Sequence, residues 1–253
     1  GDTNSRLDSA AMMTNNSLAT TLGQNGFRDR RHVRVFSEGV PVTATSEADH
    51  QLRLQTGNEN DSAARQLARY IDGSCARYVP NFDVVMIWRR DRFLRGGDHT
   101  AFSELGYPAV RFTEMNEDYR HQHQNIREEE GVQYGDLIQF VDFGYITQVA
   151  RVNLATLAEL ALAPAPPKNL KVITAKLEPT TTLQWEPGEE SDLAGYEIVW
   201  RETTEPQWTN EQFVGIQTGC VHPLSKDNYV FGVRSVDKDG HKSVVAWPTP
   251  SKE

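Results

Sequence analysis

The sequence predicts an α/β domain followed by an all-β sandwich, and three observations predict it. Over residues 1–163, apolar runs of strand length alternate with stretches of helical periodicity. At 164–167 a proline-rich linker, read from Ala163-Pro164-Ala165-Pro166-Pro167, breaks that pattern, because residues ahead of proline are pushed toward extended geometry. Over 168–253 the chain changes to short alternating strands separated by turn clusters such as PGEESDLAG and DKDG, the spacing of a β-sandwich.

Each element has a local cause. Ala10 to Met13 is a short apolar run that reads as a strand ending in Thr14-Asn15-Asn16; the alternative is that these three form only a turn. HVRVFSEGVP alternates well enough for an exposed or edge strand, with Val33 and Val35 on one side. Arg28, Arg30, Arg31 and Arg34 enter it and, interleaved with Asp29 and followed by acids, read as a solvated face rather than an anion site. Asp61 or Ser62 caps a helix whose stripe Ala64, Leu67, Ala68 and Ile71 is closed by Gly73. Asp83 to Trp88 reads as a strand. From Leu137 to Leu162 apolar residues recur at helical spacing, which predicts one long helix.

The chemistry concentrates in one stretch, FLRGGDHTAFSELGYPAVRFTEMNEDYRHQHQ, from Phe93 to Gln124. It joins a Gly-Gly turn, the Asp98-His99 pair, a short amphipathic segment, the apolar strand Tyr107 to Phe112, and a loop bearing His121 and His123. Glu114, Glu117 and Asp118 lie between them. Imidazoles beside carboxylates make up metal centres and their supporting groups. In open α/β sheets such groups collect at the carboxyl ends of strands. The plain alternative is that the histidines are surface or satisfied core residues, since His-x-His on a strand only puts two rings on one face.

GGDHTAFSELGYPAVRFTE followed by NEDYRH resembles the C-terminal part of the co-catalytic, di-zinc metallo-aminopeptidases of the bacterial leucyl aminopeptidase type. The likeness covers Met12 to Leu162. It implies a partial zinc-exopeptidase-like α/β/α sheet domain and a secreted hydrolase that removes N-terminal residues from peptides. It implies zinc as cofactor, His121 as a metal ligand, and Asp98, His99, Tyr119 and His123 as its supporting shell. The family's aspartate ligand falls on Asn16, whose neutral carbonyl oxygen suits a dication less well than a carboxylate. In that family two zincs about 3.5 Å apart share a water and an aspartate. The residues corresponding to its first histidine, bridging aspartate and Glu-Glu pair would precede Asn16, where the fifteen residues hold neither histidine nor glutamate. Glu128-Glu129-Glu130 follows the last histidine and does not stand in for that pair. The resemblance therefore implies a portion of an aminopeptidase that is inactive as an isolated chain. Two other readings stay open: a non-catalytic interaction or dimerisation module, and a mononuclear site built from Asp98, His99, His121 and His123.

From Pro166 to Pro250 the chain resembles a fibronectin type III domain. Leu183-x-Trp185 lies on the second strand, Tyr196 to Trp200 on the third, and Leu224 with Tyr229-x-Phe231-x-Val233 on a tyrosine-corner strand. Trp185, Tyr229 and Val233 are expected in its core.

Charge and composition bound the partners. A net charge of −9 disfavours nucleic acid. No apolar run approaches the ~18 residues that span a membrane, and no membrane contact is expected. Cys75 and Cys220, far apart, read as free thiols. A peptide substrate in the complete protein, homo-oligomerisation through an exposed sheet edge, and an extracellular or periplasmic location complete the expectations.

Overall fold

The computed structural model describes residues 11–14, 20–39, 46–47, 58–91, 96–175 and 177–252. The described residues divide into two compact units, one within Asp8–Leu157 and one within Ala158–Glu253. Asn16 lies outside the described residues.

In the first unit, four strands form a mixed sheet: β1 (Ala11–Thr14), β2 (His32–Ser37), β3 (Asp83–Ile87) and β4 (Ala109–Glu114). Their order is β1-β4-β2-β3, with β4 parallel to β1 and antiparallel to β2, and β2 parallel to β3. β2 is therefore an interior strand rather than the exposed or edge strand its alternation suggested. Val33, Val35 and Phe36 are wholly buried, because β3 and β4 pair with it on both sides. β4, between β1 and β2, is buried along its whole length, Arg111, Thr113 and Glu114 included.

Helix α1 (Ala63–Tyr78) packs on β2, β3 and β4. Ser62 caps it, its Oγ accepting the Arg65 N–H at 3.3 Å. The stripe Ala64, Leu67, Ala68, Ile71 and Cys75 is buried. The helix runs through Gly73, since a single interior glycine costs only about 1 kcal/mol and the apolar stripe continues past it. It stops at Tyr78 because Pro80 biases Val79 toward extended geometry. Arg69 of this helix forms an ion pair with Asp61 at 3.1 Å, both side chains at most 3% exposed.

Helix α2 (His99–Glu104) packs against β1 and β4. A small hairpin, β5 (Arg127–Glu129) and β6 (Val132–Tyr134), carries Glu128 and Glu129 on an exposed edge, and Glu130 takes a left-handed φ of 51° at its turn. The long helix α3 spans Phe143–Leu162, shorter than the periodicity from Leu137 predicted. Asp142 sets the start: its Oδ1 accepts the Tyr145 N–H at 3.1 Å, and a separate 3-10 turn occupies Ile138–Phe140. Tyr145 is buried, and its hydroxyl donates to the His32 carbonyl at 2.8 Å.

The second unit is a β-sandwich. One sheet has the order β10-β9-β12, from Asn210–Gly215, Leu193–Glu202 and Tyr229–Asp237. The other has the order β11-β8-β7-β13, from Gly219–His222, Thr181–Glu186, Lys168–Ile173 and Thr249–Ser251. Leu170, Leu183 and Trp185 from one sheet meet Tyr196, Ile198, Phe231 and Val233 from the other, and Tyr229 packs at their margin. The alternating segment from Ser243 to Trp247 forms no strand and makes a single isolated bridge, Val233 to Ala246; Pro248 follows it and has no N–H to extend a ladder. Both cysteines are free thiols, and burial pushes that of Cys75 up to about 12. Among the described residues, no helix is long and apolar enough to cross a membrane.

Candidate functional site

The chain leaves β4 at Glu114 and turns at once into the histidine-bearing loop. Asp118 caps a one-turn 3-10 helix, Tyr119–His121, with its Oδ1 accepting the Arg120 N–H at 3.1 Å. This turn fixes His121. Its ring lies flat on Phe140, with centroids 3.6 Å apart and planes inclined by 21°. Nε2 lies 3.5 Å from Asp118 Oδ2, while Nδ1 is buried and has no hydrogen-bond partner among the described residues. A histidine held by a carboxylate at one nitrogen, with the other nitrogen free, has the form of a metal-ligating imidazole.

Asp118 itself is tightly held. Arg120 Nε and Nη2 reach its two oxygens at 2.8 and 2.5 Å. Burial pushes its carboxyl up, but the hydrogen bonds from Arg120 and the neighbouring His121 outweigh that and keep it below the usual carboxylate range.

Behind the turn sits Glu114, 1% exposed, whose oxygens accept the N–H and hydroxyl of Thr20, each at 3.2 Å. Burial, reinforced by the charge of Glu117, raises it to about 8 against the opposing bonds from Thr20. Glu117 is also buried and forms an ion pair with Arg34 at 2.7 Å. Gln122 Nε2 bridges Glu114 and Glu117 at 3.5 and 3.4 Å.

In front of His121 a cleft of about 440 Å³ opens, lined on one side by Thr20 to Leu22, Arg28 and Arg30, and on the other by Asp118, Arg120, His121 and Gln139 to Phe143. The loop that carries Arg28 is pinned to the histidine segment: Gln24 N–H donates to the Glu117 carbonyl at 3.2 Å, and Asn25 Nδ2 to Asn116 Oδ1 at 3.3 Å. Gly23 permits this, for a Cβ there would meet the Asn116 Cβ at 2.5 Å.

The other sequence-predicted residues take different partners. Asp98 is exposed and precedes α2 without making a side-chain cap. His99 is completely buried, with Nε2 3.3 Å from Glu38 Oε1; Arg90 clamps the same carboxylate at 3.1 and 3.0 Å. Among the described residues, His99 and His121 share no hydrogen-bond or ion-pair partner. Tyr119 is half exposed, its hydroxyl 3.5 Å from Glu117 Oε2. His123 is exposed with a left-handed φ of 52°. The carboxylate against His121 is instead Asp118, which the Asp-x-x-His spacing signals, and the supporting ring is Phe140, which no local pattern signals.

A catalytic zinc centre takes three protein ligands plus a water, and a structural one takes four. Among the described residues, no three His, Cys, Asp or Glu are grouped so as to hold a metal ion. The reading of Asp98, His99, His121 and His123 as one mononuclear centre finds no such grouping. His121 fits a zinc ligand by its free Nδ1, but the described residues by themselves do not fit a complete zinc centre.

No family model matches the chain. It is similar to proteins named probable zinc metalloprotease. One, from Pyrenophora tritici-repentis, is 46% identical over 94% of this chain and 50% of its own length. A second, from Pyrenophora teres f. teres, is 45% identical over 95% of this chain and 50% of its own length. A third, from Leptosphaeria maculans, is 45% identical over 98% of this chain and 57% of its own length. The chain thus spans about half the length of the curated relatives it matches. Among solved structures, a Fn3-like protein from Clostridium thermocellum matches 35% of this chain and 93% of its own, at 18% identity and a TM-score of 0.29.

Proposed function

We propose that this chain is part of a zinc-dependent aminopeptidase, a hydrolase that removes N-terminal residues from peptides, and that it supplies His121 to a metal centre completed by residues beyond those described. The observation that carries the reading is the state of His121. Its ring stacks on Phe140, its Nε2 faces Asp118, and its Nδ1 is buried without a partner among the described residues. A buried polar atom with no partner is costly, and a ligand at this nitrogen would remove that cost. The 45–46% identity to proteins named probable zinc metalloproteases supports zinc as that ligand. Aminopeptidase specificity rests on the motif order from Asp98 to His121.

On this reading the 253-residue chain alone is inactive, because a single imidazole does not hold Zn²⁺ in a catalytic arrangement. The test uses aminoacyl p-nitroanilides, with zinc present, on this chain and on a full-length relative. Turnover by the relative and not by the chain is expected. In the relative, alanine at the position of His121 should abolish turnover and lower bound zinc. Undiminished turnover in that variant removes the histidine from the centre. Relatives that cleave only internal peptide bonds, leaving p-nitroanilides intact, refute the aminopeptidase assignment.

A further inference from the structure

We propose that Arg28 is an anion-binding residue of the cleft beside His121, selecting peptides that carry a carboxylate close to the bond held there. Three guanidinium groups line this cleft, those of Arg28, Arg30 and Arg120, against two carboxylates, Asp118 and Asp142. Each carboxylate already has its arginine. Arg30 Nε meets Asp142 Oδ2 at 2.5 Å, and Arg120 grips Asp118 through two bonds. Arg28 is left over: its side chain is exposed and makes no ion pair, hydrogen bond or ring contact among the described residues. In a chain of net charge −9, this cleft carries an uncompensated positive charge.

The backbone that carries Arg28 is held. Residues 22–28 close as a tight loop, with a backbone bridge between Leu22 and Arg28 and the Gly23 N–H donating to the Phe27 carbonyl at 2.9 Å. Gly26 supplies the left-handed turn at φ 81°. The same loop is bonded to Asn116 and Glu117, five and four residues ahead of His121. A backbone fixed in this way keeps the guanidinium at the cleft, where it can bind a carboxylate through parallel N–H bonds. Exposed Leu22 and Phe143 supply apolar walls for the rest of the ligand. The run of arginines read from the sequence as a solvated face therefore splits into Arg30 and Arg34, which are paired, and Arg28 and Arg31, whose side chains make no ion pair among the described residues; of these two, Arg28 lines the cleft.

The carboxylate has two sources in a peptide, an acidic side chain or the C-terminus, and the test separates them. The chain is titrated without zinc, by calorimetry and backbone-amide NMR, using three peptides. Acetyl-Ala-Glu-Ala-amide carries only a side-chain anion, acetyl-Ala-Gln-Ala only a terminal one, and acetyl-Ala-Gln-Ala-amide none. At least one anionic peptide should bind about tenfold more tightly than the uncharged one, shifting the amides of Arg28 and His121, and added salt should weaken it. Arg28→Gln should erase the preference. Arg127→Gln, which removes the same charge from the β5–β6 hairpin, should keep it. Equal binding of all three peptides, or a preference that survives Arg28→Gln, overturns the proposal. The inference borrows only the peptide nature of the ligand from the aminopeptidase reading. Binding without zinc and turnover with it are separate readouts, so either can fail alone.

Discussion

The imidazole of His121 rests on the ring of Phe140, with centroids 3.6 Å apart and planes only 21° from parallel. Phe140 closes the 3-10 turn ahead of α3, nineteen positions on in the chain, so the stack ties the end of the sheet to the start of the long helix. Phe140→Ala should cost about 1 kcal/mol from the lost ring pair. That corresponds to about 2–4 °C in a thermal melt of a chain this size. Loss of the stack should also move the imidazole resonances of His121; resonances and melting temperature both unchanged would show that other contacts hold the ring.

Glu114 gives a pH dependence of definite sign. Its carboxyl is raised in the fold from 4.5 to about 8, chiefly by burial, so the folded chain holds the proton more tightly than the unfolded one. The stabilisation from this proton is complete below about 4.5 and lost as pH rises through about 8. Glu114→Gln keeps the shape and the acceptor oxygen for Thr20 without titrating. The wild-type minus variant difference in unfolding free energy should therefore fall across that window, by up to roughly 3–5 kcal/mol. A pH-independent difference in urea midpoints between pH 5 and 8 would place the titration elsewhere.

The pair Arg69–Asp61, joined at 3.1 Å and nearly without solvent contact, is a second sensitive point. Arg69→Met should destabilise the first unit by about 3–5 kcal/mol, since it strands a buried carboxylate. Adding Asp61→Asn should recover part of that loss, because the Gln66 Nε2 bond at 3.0 Å can then meet a neutral acceptor. Urea unfolding followed by Trp88 fluorescence measures both, Arg69 lying over that indole at 5.0 Å.

Gly23→Ala tests the join between the Arg28 loop and the histidine segment. The added methyl would stand 2.5 Å from the Asn116 Cβ, so the loop must shift, at about 1–3 kcal/mol. Asn116→Gly in the same chain removes the nearest obstruction and should restore part of the stability. Strict additivity of the two substitutions in a double-mutant cycle would show that the loop and the segment are not in contact.

Much of this was legible in the sequence because it is local. The Ser62 cap, the stripe of α1, the apolar run of β4 and the alternating strands around Trp185 each declare themselves within a few residues. What escaped depends on partners distant in sequence. β2 read as an edge strand because alternation says nothing of how many neighbours a strand has, and β3 and β4 lie about 50 and 80 residues further on. The apolar period overextends α3 because Ile138 and Phe140 continue it, whereas a single hydrogen bond to Asp142 fixes its first turn. His121 was found by motif; Phe140 beneath it and Glu114 behind it belong to a tertiary arrangement that no spacing encodes.

Asp142 finally links two properties that are usually varied apart. One of its oxygens seats the first turn of α3, and the other takes the Thr21 hydroxyl at 2.9 Å together with Arg30. Any replacement meant to make the cleft more cationic at this position would also unfasten a twenty-residue helix from its anchor. Selectivity can drift freely at Arg28, while at Asp142 it is yoked to folding.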